Sequence, residues 1–183
     1  MLNQFYNLSC YEEFEIQSAL MGISKIDILK EIGNQIDNYY FFVSNDGIFN
    51  WFDLKGNRVE EPGVLKELKC EHIPVSISKC IIPNSVTRIG NNAFSYCISL
   101  TSITIPNNVM SIDNRAFLNC TSLTSITIPN NVMSIGKYVF YDCVSLKEVI
   151  FKGKTLNKVK RMKNYPFSIE DKSIIKCEIN DFF

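Results

Sequence analysis

Seven cysteines and one histidine are the side chains of this 183-residue chain best suited to metal binding or covalent chemistry. The cysteines lie at positions 10, 70, 80, 97, 120, 143 and 177, and no C-x-x-C pair occurs. A structural zinc site needs four Cys or His ligands at characteristic spacings, and the single histidine, His72, does not complete such a set. We therefore predict no metal and no cofactor, and we interpret His72 as a structural residue.

Three of the cysteines, Cys97, Cys120 and Cys143, recur at i, i+23 and i+46, and this regular spacing favours small buried packing groups. Reduced thiols are the main interpretation, and one incidental disulfide remains an alternative. The first ten residues lack the basic start and apolar core of a secretory signal. Reduced thiols and the missing signal together predict a cytoplasmic protein.

Acidic side chains and sequence motifs give no catalytic assignment. Asp37, Asp46 and Asp53 do not have the spacing of a calcium loop. The sequence contains no G-x-x-x-x-G-K-[ST], G-x-G-x-x-G, G-x-S-x-G or H-E-x-x-H pattern. No apolar run approaches the roughly 18 residues of a membrane span. We predict a non-enzymatic protein without catalytic residues and without a membrane-spanning segment.

The elements that position all of these residues are set by an internal repeat. Pro83, Pro106 and Pro129 are equally spaced, again at i, i+23 and i+46, and the stretch 99–112 recurs letter for letter as 122–135. The same interval relates a phenylalanine in each unit: Phe94, Phe117 and Phe140. A fixed period of roughly 20–29 residues indicates stacked coils that share one core.

Each unit predicts a short strand followed by a return segment. In the middle unit, Ser102 and Thr104 alternate with apolar residues, so the strand has one buried and one solvated face. Pro106 ends the strand because it has no N–H to donate. The apolar spacing that follows predicts a helical or 3₁₀ return, through Val109, Ile112, Ala116 and Phe117.

These residues resemble the leucine-rich repeats, specifically the BspA-like subclass, whose pattern is roughly L-x-x-I-x-I-P-x-x-V-x-x-I-G-x-x-A-F-x-x-C. The match runs from Ile77 to about Phe151. The resemblance implies a parallel β-solenoid with strands on the concave side and helical turns outside, and a binding scaffold without catalytic residues. Asn108 and Asn131 occupy the asparagine slot of the wider superfamily, whereas Ser85 and Lys154 replace it in the flanking units, so an unbroken asparagine ladder is not expected.

We predict an α+β fold with three parts: a head (1–62), a leucine-rich-repeat solenoid (63–151) and a C-terminal cap (152–183). The head is expected to contain helices at Tyr11–Met21 and from Lys25 to about Gln35, and two to three strands between residues 38 and 59. A helix over 156–162 and a strand over 173–179 are expected in the cap. The cap resembles the K-T-L-x-x-V-K-x-M-x-N-Y-P tail of repeat proteins from phages and gut bacteria.

The aromatic hairpin of the head has two interpretations. It either packs as core on its helices and on the open end of the solenoid, or it leaves one aromatic face exposed to contact a partner. Both faces are aromatic, and a two-layer unit of this size does not readily bury both. The partner-binding residues that the second interpretation predicts are Tyr39, Tyr40, Phe42, Asp46, Phe49, Trp51 and Asp53.

The solvated strand positions define a second candidate surface, the concave face. Its predicted partner-binding residues are Lys79, Ser102, Thr104, Ser125, Thr127 and Glu148. The alternative is an ordinary solvated strand surface. Two coils carry identical residues here, although a face selected for one ligand usually varies between coils. This identity favours the head as the working surface.

Charge is distributed unevenly along a chain with zero net charge. Residues 1–70 carry 6 basic and 11 acidic side chains, a net charge of −5, and residues 147–183 carry 9 and 5, a net charge of +4. This basic field is too weak for a nucleic-acid interface, so the predicted partner is another protein. The leading hypothesis is an intracellular inhibitor, encoded by a phage or mobile element, that binds a host defence protein through the head. The alternatives are a bacterial surface adhesin fragment and a self-associating structural protein.

Overall fold

The head is a layer of two helices packed on an antiparallel sheet. A computed structural model describes residues 11–179; Cys10 and the ends of the predicted head and cap lie outside this range. Helices α1 (Tyr11–Met21) and α2 (Lys25–Ile32) precede strands β1 (Asn34–Ile36), β2 (Tyr39–Val43), β3 (Phe49–Asp53) and β4 (Arg58–Val59), which pair in the order β1-β2-β3-β4. Strand β1 was not predicted. Helix α2 ends at Ile32 instead of Gln35, because residues 34–36 pair with β2.

The hairpin between β2 and β3 forms at the predicted Asn-Asp-Gly turn. Gly47 has a φ of +83°, in the left-handed region that glycine adopts without steric cost. The hydroxyl of Ser44 donates to the Asp46 carboxylate at 2.5 Å, which fixes the start of the turn.

The concave side of the solenoid consists of short parallel strands, one from each coil. They are β6 (Lys79–Ile81), β8 (Ser102–Thr104), β10 (Ser125–Ile128) and β12 (Glu148–Lys152), joined by β13 (Ile175–Glu178) from the cap. β6 pairs with β8, and β10, β12 and β13 form one sheet. Partner residues such as Lys79 and Ser102, or Ser125 and Glu148, are one repeat period apart in the sequence. The predicted stacking of coils in register is therefore confirmed.

A second parallel sheet lies on the return side of the coils, which the sequence pattern does not predict. Its two-residue strands are β5 (Glu67–Leu68), β7 (Arg88–Ile89), β9 (Ser111–Ile112) and β11 (Ser134–Ile135). The rest of the return is a run of tight turns with 3₁₀-type bonds, such as Ala93 N–H to Gly90 O at 3.3 Å. The turns also bond from coil to coil, as in Phe94 N–H to Ala116 O at 2.8 Å. Each coil is therefore linked to its neighbour on three sides.

Repeated side chains form continuous columns inside the solenoid. The buried rings of Phe94, Phe117 and Phe140 stack with centroids 5.3 and 5.8 Å apart. Beside them, the thiol of Cys120 donates to Phe94 O at 3.1 Å and that of Cys143 to Phe117 O at 3.0 Å. The six cysteines within residues 11–179 are all free in the structure.

The asparagine slot forms a ladder that continues farther than the sequence indicated. Asn108 Nδ2 donates to Asn84 O at 2.6 Å, and Asn131 Nδ2 to Asn107 O at 2.8 Å. In the last unit the side chain of Lys154, a buried residue, donates to Asn130 O, so lysine supplies the next rung although the asparagines end. At the other end Ser85 Oγ is buried and has no hydrogen-bond partner within residues 11–179, so the asparagine ladder is interrupted there, as expected.

The cap closes the C-terminal end of the coils. Helix α3 (Leu156–Lys160) begins at Thr155, whose hydroxyl accepts from Lys158 N–H at 3.3 Å, and it ends two residues earlier than predicted. Asn164 Nδ2 donates to Ile135 O at 2.8 Å and thereby covers the edge of β11. Phe167 packs on Phe151 with ring centroids 5.7 Å apart.

Candidate functional site

The aromatic hairpin of the head is buried on both faces. On one face, Phe42 and Phe52 pack on Phe14 of α1 with ring centroids 5.1 and 5.4 Å apart. On the other face, Phe41 and Trp51 belong to the same hydrophobic core as the first coils of the solenoid. The hairpin is thus the middle of three layers, which is how a small unit buries two aromatic faces.

This burial corrects part of the predicted head site. Tyr40, Phe42 and Trp51 are 9%, 5% and 2% exposed, so their side chains do not form a protruding contact surface. The prediction assumed a two-layer head, and the third layer comes from residues distant in sequence. Tyr39 and Phe49 are half-buried and Asp46 is exposed.

The tip of the hairpin covers the edge of β6, the first regular strand of the solenoid. Ile81 N–H donates to Gly47 O and Ser78 N–H to Asn45 O, each at 3.3 Å. Ser76 Oγ also donates to Asn45 Oδ1 at 2.7 Å. These contacts fix the head against the first coil, in the end-covering position that the core interpretation described.

The predicted head residues that remain accessible lie at two ends of the hairpin. Tyr39 pairs with Asp53 in the sheet register at one end, whereas Phe49 and Asp46 lie at the other. Asp53 accepts hydrogen bonds from the side chain and N–H of Asn57 at 2.8 and 2.9 Å, and these bonds lower the pKa of its carboxyl group. The structure therefore does not bring the seven predicted residues together into one site.

A surface groove beside β4 combines the remaining aromatic contact area of the head with charged residues. This β4 groove has a volume of about 460 Å³, and its lining residues are Phe49, Trp51, Arg58, Val59, Glu60 and Glu61. It exists because β4 pairs with β3 only through Arg58 and Val59. If this antiparallel register continued, Glu60 would pair with Asn50 and Glu61 with Phe49. The chain instead leaves β3 after Val59. Of these six residues, Phe49 and Trp51 were predicted as partner-binding residues. The other four were not predicted, because the divergence of β4 from β3 has no local sequence pattern.

One polar atom of Trp51 is unusual. The indole N–H of Trp51 is buried, and within residues 11–179 it has no hydrogen-bond acceptor. A buried donor without a partner costs about 1–3 kcal/mol, so such groups are rare in folded proteins.

The predicted concave residues do form one surface. Lys79, Ser102, Thr104 and Ser125 are exposed, and Thr127 and Glu148 are half-buried. The rungs repeat at the strand spacing of about 4.8 Å. Four of these six side chains are hydroxyls, with Lys79 and Glu148 in the first and last of the four strands, so this surface offers mainly hydrogen bonding.

His72 has a structural environment. Its Nδ1 accepts from Lys69 N–H at 3.2 Å, and its ring lies edge-on to Phe41 with centroids 5.2 Å apart. Burial lowers the pKa of the imidazole, and the Glu71 carboxylate opposes this shift.

Within residues 11–179, no group of three or more His, Cys, Asp or Glu side chains has a metal-binding arrangement. No helix in that range combines the length and apolar character needed to cross a membrane.

Comparison with known proteins decides the family. A model of the BspA type leucine rich repeat region matches residues 72–181 in six copies. The chain belongs to the BspA-type leucine-rich repeat family. The match begins before and ends after the Ile77–Phe151 stretch of the sequence resemblance, and it includes most of the cap.

Solved structures similar to this BspA-type protein come from several bacteria. A leucine rich cell surface protein from Faecalibacterium prausnitzii is 39% identical over 41% of this chain and 20% of its own length, with a TM-score of 0.40. A leucine-rich repeat protein from Bacteroides capillosus is 24% identical over 67% of this chain and 99% of its own, with a TM-score of 0.49. A leucine-rich repeat protein from Eubacterium ventriosum is 27% identical over 62% of this chain and 27% of its own length, with a TM-score of 0.47. This chain thus spans a fifth of the Faecalibacterium protein. No curated protein matches the present chain.

BspA-type repeats indicate a protein-interaction or surface-protein module, and the fold is typically non-enzymatic. The absence of catalytic residues stays a prediction for this chain.

Proposed function

We propose that this BspA-type protein is a non-enzymatic protein-binding module, in which the solenoid is a rigid scaffold and the head provides the contact surface. The observation that carries this proposal is the fixed position of the head. Its hairpin shares a hydrophobic core with the first coils, and its tip is hydrogen bonded to β6. A partner therefore meets a preorganised acidic surface, which reduces the entropy lost on binding.

The contrast between head and coils supports the choice of surface. The concave face repeats the same hydroxyl groups, Ser102 and Thr104 followed by Ser125 and Thr127. A surface made of identical rungs discriminates poorly between partners, because specificity requires differences along the contact. The head is unique in the chain, and its residues 1–62 carry 4 basic and 10 acidic side chains, a net charge of −6.

We further propose that the partner is a host defence protein and that the chain is an intracellular inhibitor encoded by a phage or mobile element. The cap pattern, which resembles the tails of phage and gut-bacterial repeat proteins, supports this origin. Free thiols at Cys80, Cys97, Cys120 and Cys143, buried within the coils, support a reducing cytoplasm.

The test is a pull-down from a lysate of the organism that carries the gene, with the full chain as bait. The head variant combines Glu31→Lys in α2 and Glu60→Lys directly after β4, two exposed positions. The control combines Ser102→Lys and Ser125→Lys on the concave face. We expect a partner that the head variant loses and the control retains, reproduced with both proteins purified. Loss with the concave control alone, or no partner for any variant, contradicts the proposal.

The two alternatives give different results. An adhesin binds host matrix proteins and has an export signal in the complete gene. A self-associating structural protein gives a mass well above 21.0 kDa in light scattering at high concentration.

A further inference from the structure

Helix α1 carries apolar side chains on the face opposite its buried face. Phe14 and Ser18, one turn apart, are buried against the rest of the head. Ile16 and Leu20, also one turn apart, point away from them and are 57% and 77% exposed. A buried serine and an exposed leucine on one helix reverse the usual arrangement, so the outer face of α1 has the composition of a contact surface.

The outer face of α1 is acidic at its N-terminal end. Glu12 precedes Ile16 by four residues and Glu13 precedes it by three, which places both carboxylates on the same face as the apolar pair. They belong to the head, which has a net charge of −6 over residues 1–62. A surface complementary to this face therefore needs an apolar floor and cations beside it.

A groove in the cap has both properties. This cap groove has a volume of about 540 Å³, and its lining residues are Leu156, Lys160, Tyr165, Lys172, Ser173 and Ile175. Leu156, Tyr165 and Ile175 give apolar area, and the two charged lining residues are exposed lysines. The neighbouring carboxylate of Asp171 accepts from Ser173 N–H at 2.9 Å and is not part of the lining.

The charge next to the cap groove has one sign. Residues 152–163 contain six basic side chains and no acidic one: Lys152, Lys154, Lys158, Lys160, Arg161 and Lys163. Lys152 pairs with Glu178 and Lys154 is buried, and the other four are exposed on or directly after α3. A cationic groove with apolar lining fits an acidic helix that presents apolar residues one turn apart.

We propose that the outer face of α1 in one copy of this chain docks in the cap groove of a second copy. Ile16 and Leu20 lie on the apolar lining, and the carboxylates in the first turn of α1 lie beside Lys160 and Lys172. The second copy is the occupant because the two surfaces are complementary in charge and in apolar character, and every copy carries both of them.

The size of the contact sets its strength. One helix face in one groove buries less than the roughly 1,200–2,000 Å² of a stable complex, so the association is weak and reversible. A structural protein would instead remain assembled on dilution. The contact goes beyond the proposed function, because it uses α1 and the cap and not the positions Glu31 and Glu60 of the pull-down.

Sedimentation equilibrium of the full chain tests the contact. In low salt, the weight-average mass is expected to rise above 21.0 kDa from micromolar to near-millimolar concentration and to return to 21.0 kDa on dilution. Salt at about 1 M is expected to weaken the association, because the screening length is then only about 3 Å.

Leu20→Gln is expected to weaken the association about tenfold, because it removes an apolar side chain that the contact buries. The matched control is Leu54→Gln, which changes a leucine that is 48% exposed in the turn between β3 and β4 and leaves the association constant unchanged. Urea unfolding of each variant verifies that the fold is retained.

Charge reversals test the pairing of the two surfaces. Glu12→Lys and Lys160→Glu are each expected to weaken the association roughly threefold to tenfold, whereas Lys147→Glu, an equal change just before β12, leaves it unchanged. An equimolar mixture of the Glu12→Lys and Lys160→Glu chains is expected to recover the association, because each reversed charge then meets its opposite.

A mass of 21.0 kDa at every concentration overturns the proposal, whether another segment of the same chain or a different protein covers α1. Equal weakening by Leu54→Gln or by Lys147→Glu overturns it as well, and so does a mixture that recovers nothing. The pull-down is independent of these results, because its variants leave α1 and the cap groove unchanged.

Discussion

The contact between Gly47 and β6 makes the junction of head and solenoid testable with one methyl group. A Cβ atom added to Gly47 would lie 2.1 Å from the Lys79 carbonyl oxygen and 2.7 Å from the Cα of Cys80. Both are backbone atoms, so no side-chain rotation relieves the clash. Gly56, in the turn between β3 and β4, has the same φ of +83° but only ordinary contacts, the nearest being Ile26 N at 3.4 Å. It is therefore a matched control for the cost of the backbone conformation.

The expected magnitudes follow from these contacts. A residue with a side chain in the left-handed region costs about 1–2 kcal/mol, which applies to both Gly47→Ala and Gly56→Ala. The clash at Gly47 also separates the hairpin tip from β6, where two backbone hydrogen bonds are lost at about 0.5–1.5 kcal/mol each. Gly47→Ala is thus expected to lower the free energy of unfolding by about 1–3 kcal/mol more than Gly56→Ala.

Urea unfolding followed by far-UV circular dichroism and by Trp51 fluorescence measures both costs. The helix signal near 222 nm and Trp51 fluorescence both report the head, and the reactivity of the buried Cys120 thiol reports the coils, so the three probes together also test cooperativity. A shared core predicts coincident transitions in the unmodified protein. Equal destabilisation by the two substitutions would refute the tight junction, and separate transitions would refute the shared core.

Three further predictions concern the columns, the histidine and the thiols. Phe117→Leu is expected to lower the free energy of unfolding more than Phe94→Leu, because Phe117 stacks on two rings, Phe94 and Phe140, whereas Phe94 stacks on Phe117 alone within residues 11–179; paired denaturation curves measure the difference. Burial lowers the pKa of His72, so the folded state binds the imidazole proton less readily than the unfolded state does. The contribution of neutral His72 to the free energy of unfolding is therefore complete above the unfolded pKa of about 6.5. That contribution decreases as the pH falls through the folded pKa. His72→Asn should flatten that pH dependence between about pH 5 and 7, and an unchanged profile would contradict the assignment. In native protein, alkylation with peptide mapping should label the exposed Cys70 quickly and the buried Cys120 only after unfolding.

Much of the fold was predictable because the period repeats the same physical constraint. Leu100 and Ile105 recur in the next unit, again with serine and threonine between them. The position of each strand, the face that it buries and its register with the neighbouring strand therefore follow from one unit. The second sheet was not predictable, since strands of two residues such as Ser111–Ile112 are too short to show alternation. Strand β1 was missed for the same reason.

The candidate site was less predictable, because it depends on contacts between distant segments. Trp51 and Phe42 have the residue types of an exposed contact surface, and only the arrangement of α1 and the first coil shows that they are buried. The β4 groove arises where Glu60 and Glu61 leave the sheet, and no local pattern marks that point. Lys154 shows a third limit: its type differs from asparagine, yet its ammonium donates to the same carbonyl position.

The identical stretches 99–112 and 122–135 have a consequence for how such a gene changes length. Recombination between them would excise or insert one whole coil, and the flanking coils would still meet surfaces of the shape and polarity they already contact. The distance between the head and the cap would change by one strand spacing, while the chemistry of both would be inherited intact. Proteins of this kind can therefore vary in reach across a population while they keep the same fold.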